Sequence, residues 1–120
     1  MKEKDYQVHV IMFNNNTAII QFKGVVDNLI YEDVEEQVPN LIHEGVKYIV
    51  FDFSDALIST TSILGSLCNA LKLTKDSNGT IILAGASSKC KEVFKLLGFY
   101  RFFIVKDTVD EAIEYLKIGK

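Results

Sequence analysis

The sequence predicts a mixed α/β fold: a mostly parallel β-sheet, opened by an antiparallel hairpin, with about four helices packed on it. Three observations predict it. Strand-length runs alternate with helix-length apolar stripes from Leu29 onward. The interior strand candidates Tyr48–Phe53 and Thr80–Ala84 are almost wholly apolar, as strands covered on both faces are. The first two strand candidates are separated only by Asn14-Asn15-Asn16, a turn-forming run.

Element by element, Gln7–Phe13 and Thr17–Phe22 form the hairpin, and Gly24 ends its second strand. Asp27 or Asn28 then caps a helix over Leu29–His43, because a short side-chain oxygen there can accept from free N–H groups. Its stripe is Ile30, Val34, Val38, Leu41 and Ile42, and Pro39 is expected to kink it or end it early. After the strand Tyr48–Phe53 comes the polar run Ser59-Thr60-Thr61-Ser62, which opens a helix with the stripe Ile63, Leu64, Leu67, Leu71 and Leu73. Asp76–Gly79 is turn chemistry before the strand Thr80–Ala84. Ser87 or Ser88 caps a third helix, Lys89–Leu97, and Gly98 suits the position after a helix end that excludes a Cβ. A last strand, Phe102–Val105, precedes a last helix, Val109–Lys117, capped by Asp107 or Thr108.

Composition limits the function. The chain has 120 residues, 48% of them apolar and 24% charged, which suits one globular domain over residues 1–120. A net charge of -3 gives no general attraction to nucleic acid. No apolar run reaches the ~18–20 residues of a membrane span, and MKEKDYQVHV lacks the apolar region of a signal peptide. The expectation is a cytoplasmic protein without direct membrane contact. Cys68 and Cys90 lack metal or redox spacing and read as reduced thiols, and His9 and His43 lack ligand spacing. No phosphate-binding glycine loop and no nucleophile–base–acid set can be assembled. No metal, cofactor or enzymatic activity is expected.

Three motifs, in order, carry a resemblance. Gly24-Val25-Val26-Asp27 looks like a "GxhD" turn. Val50-Phe51-Asp52-Phe53-Ser54 followed by Ser59–Gly65 looks like "hhDhS…hDSSGLG". Leu83–Ser88 running on to Leu96-Leu97-Gly98-Phe99 looks like "LxGhSPxhxxhLxxhGh". Together they resemble the STAS domain (sulphate transporter and anti-sigma-factor antagonist), over roughly residues 15–117. The resemblance implies a STAS-like single domain that acts by docking. Stand-alone members bind an anti-sigma factor that is also a serine kinase. Phosphorylation of one Ser or Thr at the start of the second helix ends the grip, and a phosphatase restores it.

Carried over residue by residue, the resemblance puts Ser62 at the phosphorylated position, with Thr61 the alternative. Thr60 stands where the family has Asp, and Ile63 where it commonly has Gly. Asp27, Asp52, Thr60, Ser62 and Ile63 are the expected partner-binding residues. Asp27 either caps the helix or lines the same rim as Ser62; Asp52, at the end of its strand, either holds the following loop or contacts the partner. Phe99 or Tyr100 is a candidate exposed anchor in an otherwise core cluster. The acidic group Glu32, Asp33, Glu35 and Glu36 reads as a solvated helix face. Two other readings follow: a non-phosphorylated scaffold assembling with other STAS proteins, and a small-ligand or nucleotide sensor using the rim near Asp27 and Ser62.

Overall fold

The hairpin expected at the N-terminus is longer than its apolar pattern. The computed structural model describes residues 6–58 and 63–118. β1 (Tyr6–Asn14) and β2 (Thr17–Val26) pair antiparallel, from Tyr6 opposite Gly24 to Asn14 opposite Thr17. The Asn14 side chain accepts from the Asn16 N–H at 3.0 Å, the local bond that lets asparagine turn a chain. Gly24 does not end β2. It takes φ +112° within the strand, and β2 continues to Val26.

The remaining elements are α1 (Ile30–His43), β3 (Tyr48–Ile58), α2 (Ile63–Asp76), β4 (Thr80–Ala84), α3 (Ser88–Leu96), a 3-10 turn (Phe99–Arg101), β5 (Ile104–Lys106) and α4 (Val109–Ile118). The five strands lie in the order β1-β2-β3-β4-β5, and every pair after the hairpin is parallel. α1 runs through Pro39 to His43 without ending. Pro39 lies on the exposed face, as does Glu35, so water can satisfy the Glu35 carbonyl that proline leaves without its helical N–H. The third helix is capped by Ser87, whose hydroxyl accepts from Cys90 N–H at 3.2 Å, and Gly98 after it takes φ +74°. At α4 the cap is Thr108, accepting from Glu111 N–H at 3.0 Å, while Glu111 reaches back to Asp107 N–H at 3.3 Å.

Alternation along the strands divides the apolar side chains between two faces. On one, α1, α2 and α3 cover Ala18, Ile20, Phe22, Ile49, Phe51 and Phe53. On the other, α4 covers Val50, Ile82 and Ala84 with Ala112, Ile113 and Leu116. The first core holds a chain of aromatic contacts. Tyr6 meets Phe22 at 6.2 Å between ring centroids, Phe22 stacks on Phe53 at 5.4 Å, and Phe53 meets the Phe94 edge at 5.5 Å. Phe94, Phe99 and Phe103 continue it at 5.2 Å per step. Phe99 is therefore sealed in the core, and the exposed members of the cluster after Gly98 are Tyr100 and Phe102. The 3-10 turn displaces the expected last strand, which starts at Ile104 and not at Phe102.

Asp33 departs from the solvated-face reading. It is buried, and its carboxylate accepts from the Tyr6 hydroxyl, tying β1 to α1. Burial and this hydrogen bond push the Tyr6 phenol well above its ordinary range.

Two measurements test this packing. Phe53→Ala removes the ring in contact with both Phe22 and Phe94 and should cost about 3–5 kcal/mol in urea unfolding. Tyr6→Phe should cost about 1–3 kcal/mol, as for loss of a buried hydrogen-bond donor. A folded-state pKa above the unfolded value makes stability fall as pH rises past the unfolded tyrosine pKa of about 10. The wild type should lose stability more steeply above that pH than Tyr6→Phe, and parallel profiles would contradict the assignment.

Candidate functional site

β4 and β5 stop at Ala84 and Lys106, but β2 and β3 continue past them, with β1 beside β2 as far as Gly24, and end as a two-stranded ribbon among the described residues. Between Gln21–Asp52 and Lys23–Asp55 the pairing shifts, because two residues of β3, Phe53 and Ser54, oppose Phe22 alone. This is a β-bulge, and a bulge leaves backbone groups outside the ladder. Asp52 takes up one of them: its Oδ1 accepts from Ser54 N–H at 2.9 Å and from Ser54 Oγ–H at 2.5 Å. Its Oδ2 accepts from Gln21 Nε2–H at 3.2 Å.

Asp52 is therefore mid-strand and buried, six residues before the end of β3. The expectation that it ends its strand is corrected: the bulge lets β3 run on to Ile58, and the carboxylate holds that bulge. Gly85 closes the arrangement. It takes φ +75°, and a Cβ there would overlap Ser54 Oγ and lie 2.9 Å from Asp52 Oδ1. The "LxG" glycine is thus required by both its backbone angle and its neighbours.

Beyond the bulge, Ala56 and Val26 face the core, and Val25 and Leu57 pair side by side on the outer face. Val25 is 39% exposed and Leu57 54% exposed. With Ile58, Lys89, Cys90 and Val93 they line a groove of about 320 Å³ between the ribbon and α3. Cys90 itself is buried, with its thiol 3.5 Å from the Ala56 carbonyl oxygen. Sequence reasoning missed Val25, Leu57 and Val93. The alternation through Ser54-Asp55-Ala56-Leu57-Ile58 was the available signal, interrupted by the bulge.

Asp27 follows β2 at the ribbon's tip, next to Val26, which pairs with Ile58. Its Oδ1 accepts from Leu29 N–H at 2.9 Å, and its carbonyl accepts from Ile30 N–H at 3.2 Å. Asp27 turns the chain into α1 from two residues before the helix cap, which is Leu29. Ile63 opens α2 with its side chain fully buried against the main core, on the stripe of Leu67 and Ala70. Its expected role as a contact residue is corrected accordingly: its side chain anchors α2 and has no surface to offer. Asp27 and Ile63 thus belong to one end of the main-core face, whereas Asp52 points to the opposite face with Val50. Thr60, Thr61 and Ser62, the candidate modified and contact residues, lie outside the described residues.

On the far side of α3, Lys91 pairs with Asp107 before α4. The pair lowers the Asp107 carboxyl and raises Lys91 from their ordinary ranges, and as an exposed contact it contributes little stability. Among the described residues no group of three or more His, Cys, Asp or Glu is placed to hold a metal ion, and no helix is long and apolar enough to cross a membrane.

Gly85→Ala combines a positive φ with an overlap at Ser54 and should destabilise by about 2–4 kcal/mol in urea unfolding. A change below about 0.5 kcal/mol would contradict the close approach.

Comparison with known proteins agrees with this geometry. The chain resembles the anti-sigma factor antagonist SpoIIAA in its unphosphorylated form, with TM-score 0.79, 20% identity, and 92% of this chain and 96% of that one covered. It resembles the Bacillus cell fate determinant SpoIIAA in the phosphorylated form with TM-score 0.71, 21% identity, and 92% and 99% covered. An anti-sigma factor antagonist from Mycobacterium paratuberculosis matches with TM-score 0.79, 14% identity, and 98% and 99% covered. At these identities the likeness is one of fold. The STAS domain family itself matches residues 10–112, and over that span lie the bulge held by Asp52, the Gly85 contact and the Asp27 turn: this chain belongs to the STAS domain family.

Proposed function

We propose that this protein is a regulator of the anti-sigma-factor-antagonist type, which docks through the ribbon tip to an anti-sigma factor that is also a serine kinase. Phosphorylation at Ser62, or at Thr61 beside it, ends the docking, and a phosphatase restores it. The protein catalyses nothing itself and works in the cytoplasm, without nucleic acid or membrane contact.

The observation that carries the reading is the exposed apolar pair Val25 and Leu57, set at the strand end that leads into the hydroxyl-rich segment 59–62. Ile58 packs against the main core, paired with Val26, and Ile63 is buried in that core. Both ends of the segment are therefore attached to fixed points beside the apolar pair. From Ala56 to Leu71 the sequence carries no charge. A phosphate there introduces about -1.5 to -2 charge units into an otherwise uncharged segment. A protein seated on Val25 and Leu57 would have to desolvate that dianion. The start of a 14-residue helix tolerates the same charge, because the N–H groups of a helix's first turn and the positive end of its dipole favour an anion. The switch changes the interface more than the fold.

One sequence feature favours the scaffold reading: Thr60 cannot supply the carboxylate that the family has at that position. A scaffold of this kind would assemble with other STAS proteins without phosphorylation.

Ser62→Asp should weaken binding to the cognate kinase by about a hundredfold, equivalent to about 3 kcal/mol, with unchanged circular dichroism. Ser62→Ala should bind as the wild type does and take up no phosphate. Isothermal titration and phosphopeptide mapping read the two effects. Wild-type affinity in both Ser62→Asp and Thr61→Asp, with no phosphate in residues 59–72 under an active kinase, would sink the switch and leave the scaffold.

A further inference from the structure

The opposite edge of the molecule has a surface that the docking reading does not use. β1 is an edge strand, paired among the described residues only with β2. Its Val10, Ile11, Met12 and Phe13 are consecutive, and each is between 38% and 48% exposed. Ile11 lies opposite Ile19 on one sheet face, and Val10 and Met12 lie opposite Ile20 and Ala18 on the other. The run is therefore apolar on both faces, and the outer row of backbone N–H and C=O groups beside it has no strand partner among the described residues.

Edge strands are ordinarily blunted by shortness, lysine or proline. The other edge follows that rule: β5 has three residues and ends in Lys106. β1 has nine residues, and from Tyr6 to Phe22 the sequence carries no Lys, Arg, Asp, Glu or Pro. Its only irregularity is the register shift between Met12 and Asn14, at the strand's end.

We infer that β1 pairs antiparallel with β1 of a second copy of this chain, joining two sheets into one across a two-fold axis. Three observations select that occupant. An open backbone row is satisfied by another strand, and an antiparallel strand pair has two-fold symmetry of its own. The strand is uncharged, so two copies of a chain with net charge -3 meet there without like charges facing each other. The same neutrality leaves an unlike partner nothing to recognise by charge. Finally, the run complements itself. Full overlap of Tyr6–Asn14 with its copy puts Val10 on the axis, Val8 opposite Met12 and His9 opposite Ile11.

The apolar centre of the contact is distant from the switch. Met12 pairs with Ala18, seven residues along β2 from Val25, a separation of about 23 Å at the rise of a strand. The near end of the overlap, Tyr6, pairs with Gly24 beside Val25, while Leu57 on β3 is separated from the second copy by β1 and β2. An edge-to-edge contact is small beside the ~1,600 Å² of a standard interface, so the association is weak, with a dissociation constant on the order of tens of micromolar.

Sedimentation equilibrium of the wild type from about 10 µM to about 1 mM tests this, alongside Ile11→Lys and Met12→Lys, which place a charge on either face of the strand. Both sites are surface positions, and circular dichroism identifies any variant that fails to fold. The wild type should shift from monomer to dimer across the range, and a folded lysine variant should need at least tenfold higher concentration. A wild type that stays monomeric, or a dimer that persists unchanged in a folded lysine variant, would overturn the inference.

Discussion

The chain of aromatic contacts from Tyr6 through Phe22, Phe53, Phe94 and Phe99 to Phe103 is the constraint on which the rest of the structure depends. It links β1, β2, β3 and α3 and ends after the 3-10 turn, so elements distant in sequence share one packed line. Each ring buries a large apolar area, and tilted or edge contacts add to that burial. The groove lined by Val25 and Leu57 lies between two elements that this line joins, the β2–β3 ribbon and α3. Their relative position is set by rings that are themselves sealed from water.

Onto that core the bulge in β3 adds a second device. A regular ladder would keep β2 and β3 in phase, and the extra residue changes which side chains face outward beyond Asp52. The result is an outer face carrying Val25 and Leu57, with Ala56 and Val26 still turned inward. Asp52 serves this geometry from within, through its hydrogen bonds to Ser54 and Gln21. Asp27 does the same at the turn into α1. Both acidic residues that stood out in the sequence hold backbone in place, while the exposed contact surface beside them is apolar. A regulator built this way can change its surface charge in one segment while its buried framework stays as it is.

The two ends of the sheet differ in the same physical terms. At the C-terminal ends of β2 and β3 an apolar pair sits beside a hydroxyl-rich segment, a surface suited to a modifiable contact. Along β1 an uncharged strand presents apolar side chains on both faces, a surface suited to a constant one. The first belongs to β2 and β3 and the second to β1.

Much of this was legible in the residues. The order of strands and helices followed from the apolar runs and the left-handed position from Gly98, while side-chain chemistry narrowed the later caps to Ser87 or Ser88 and Asp107 or Thr108, of which the structure uses Ser87 and Thr108. The fold family followed from three weak motifs in the right order. Ile63 and Asp33 were misread because exposure depends on what packs against a helix. The Ile63 stripe turns α2 inward, and the Tyr6 hydroxyl draws Asp33 out of solvent. The ribbon was missed because a bulge breaks the period-two pattern by which strands are recognised. The sequence by itself determined the element order and the two-faced apolar pattern, since both are local periodicities. The tertiary structure alone decided which side chains the ribbon shows and that Asp33 is buried, because one extra residue in β3 and a buried hydroxyl from β1 act through contacts that no local window contains.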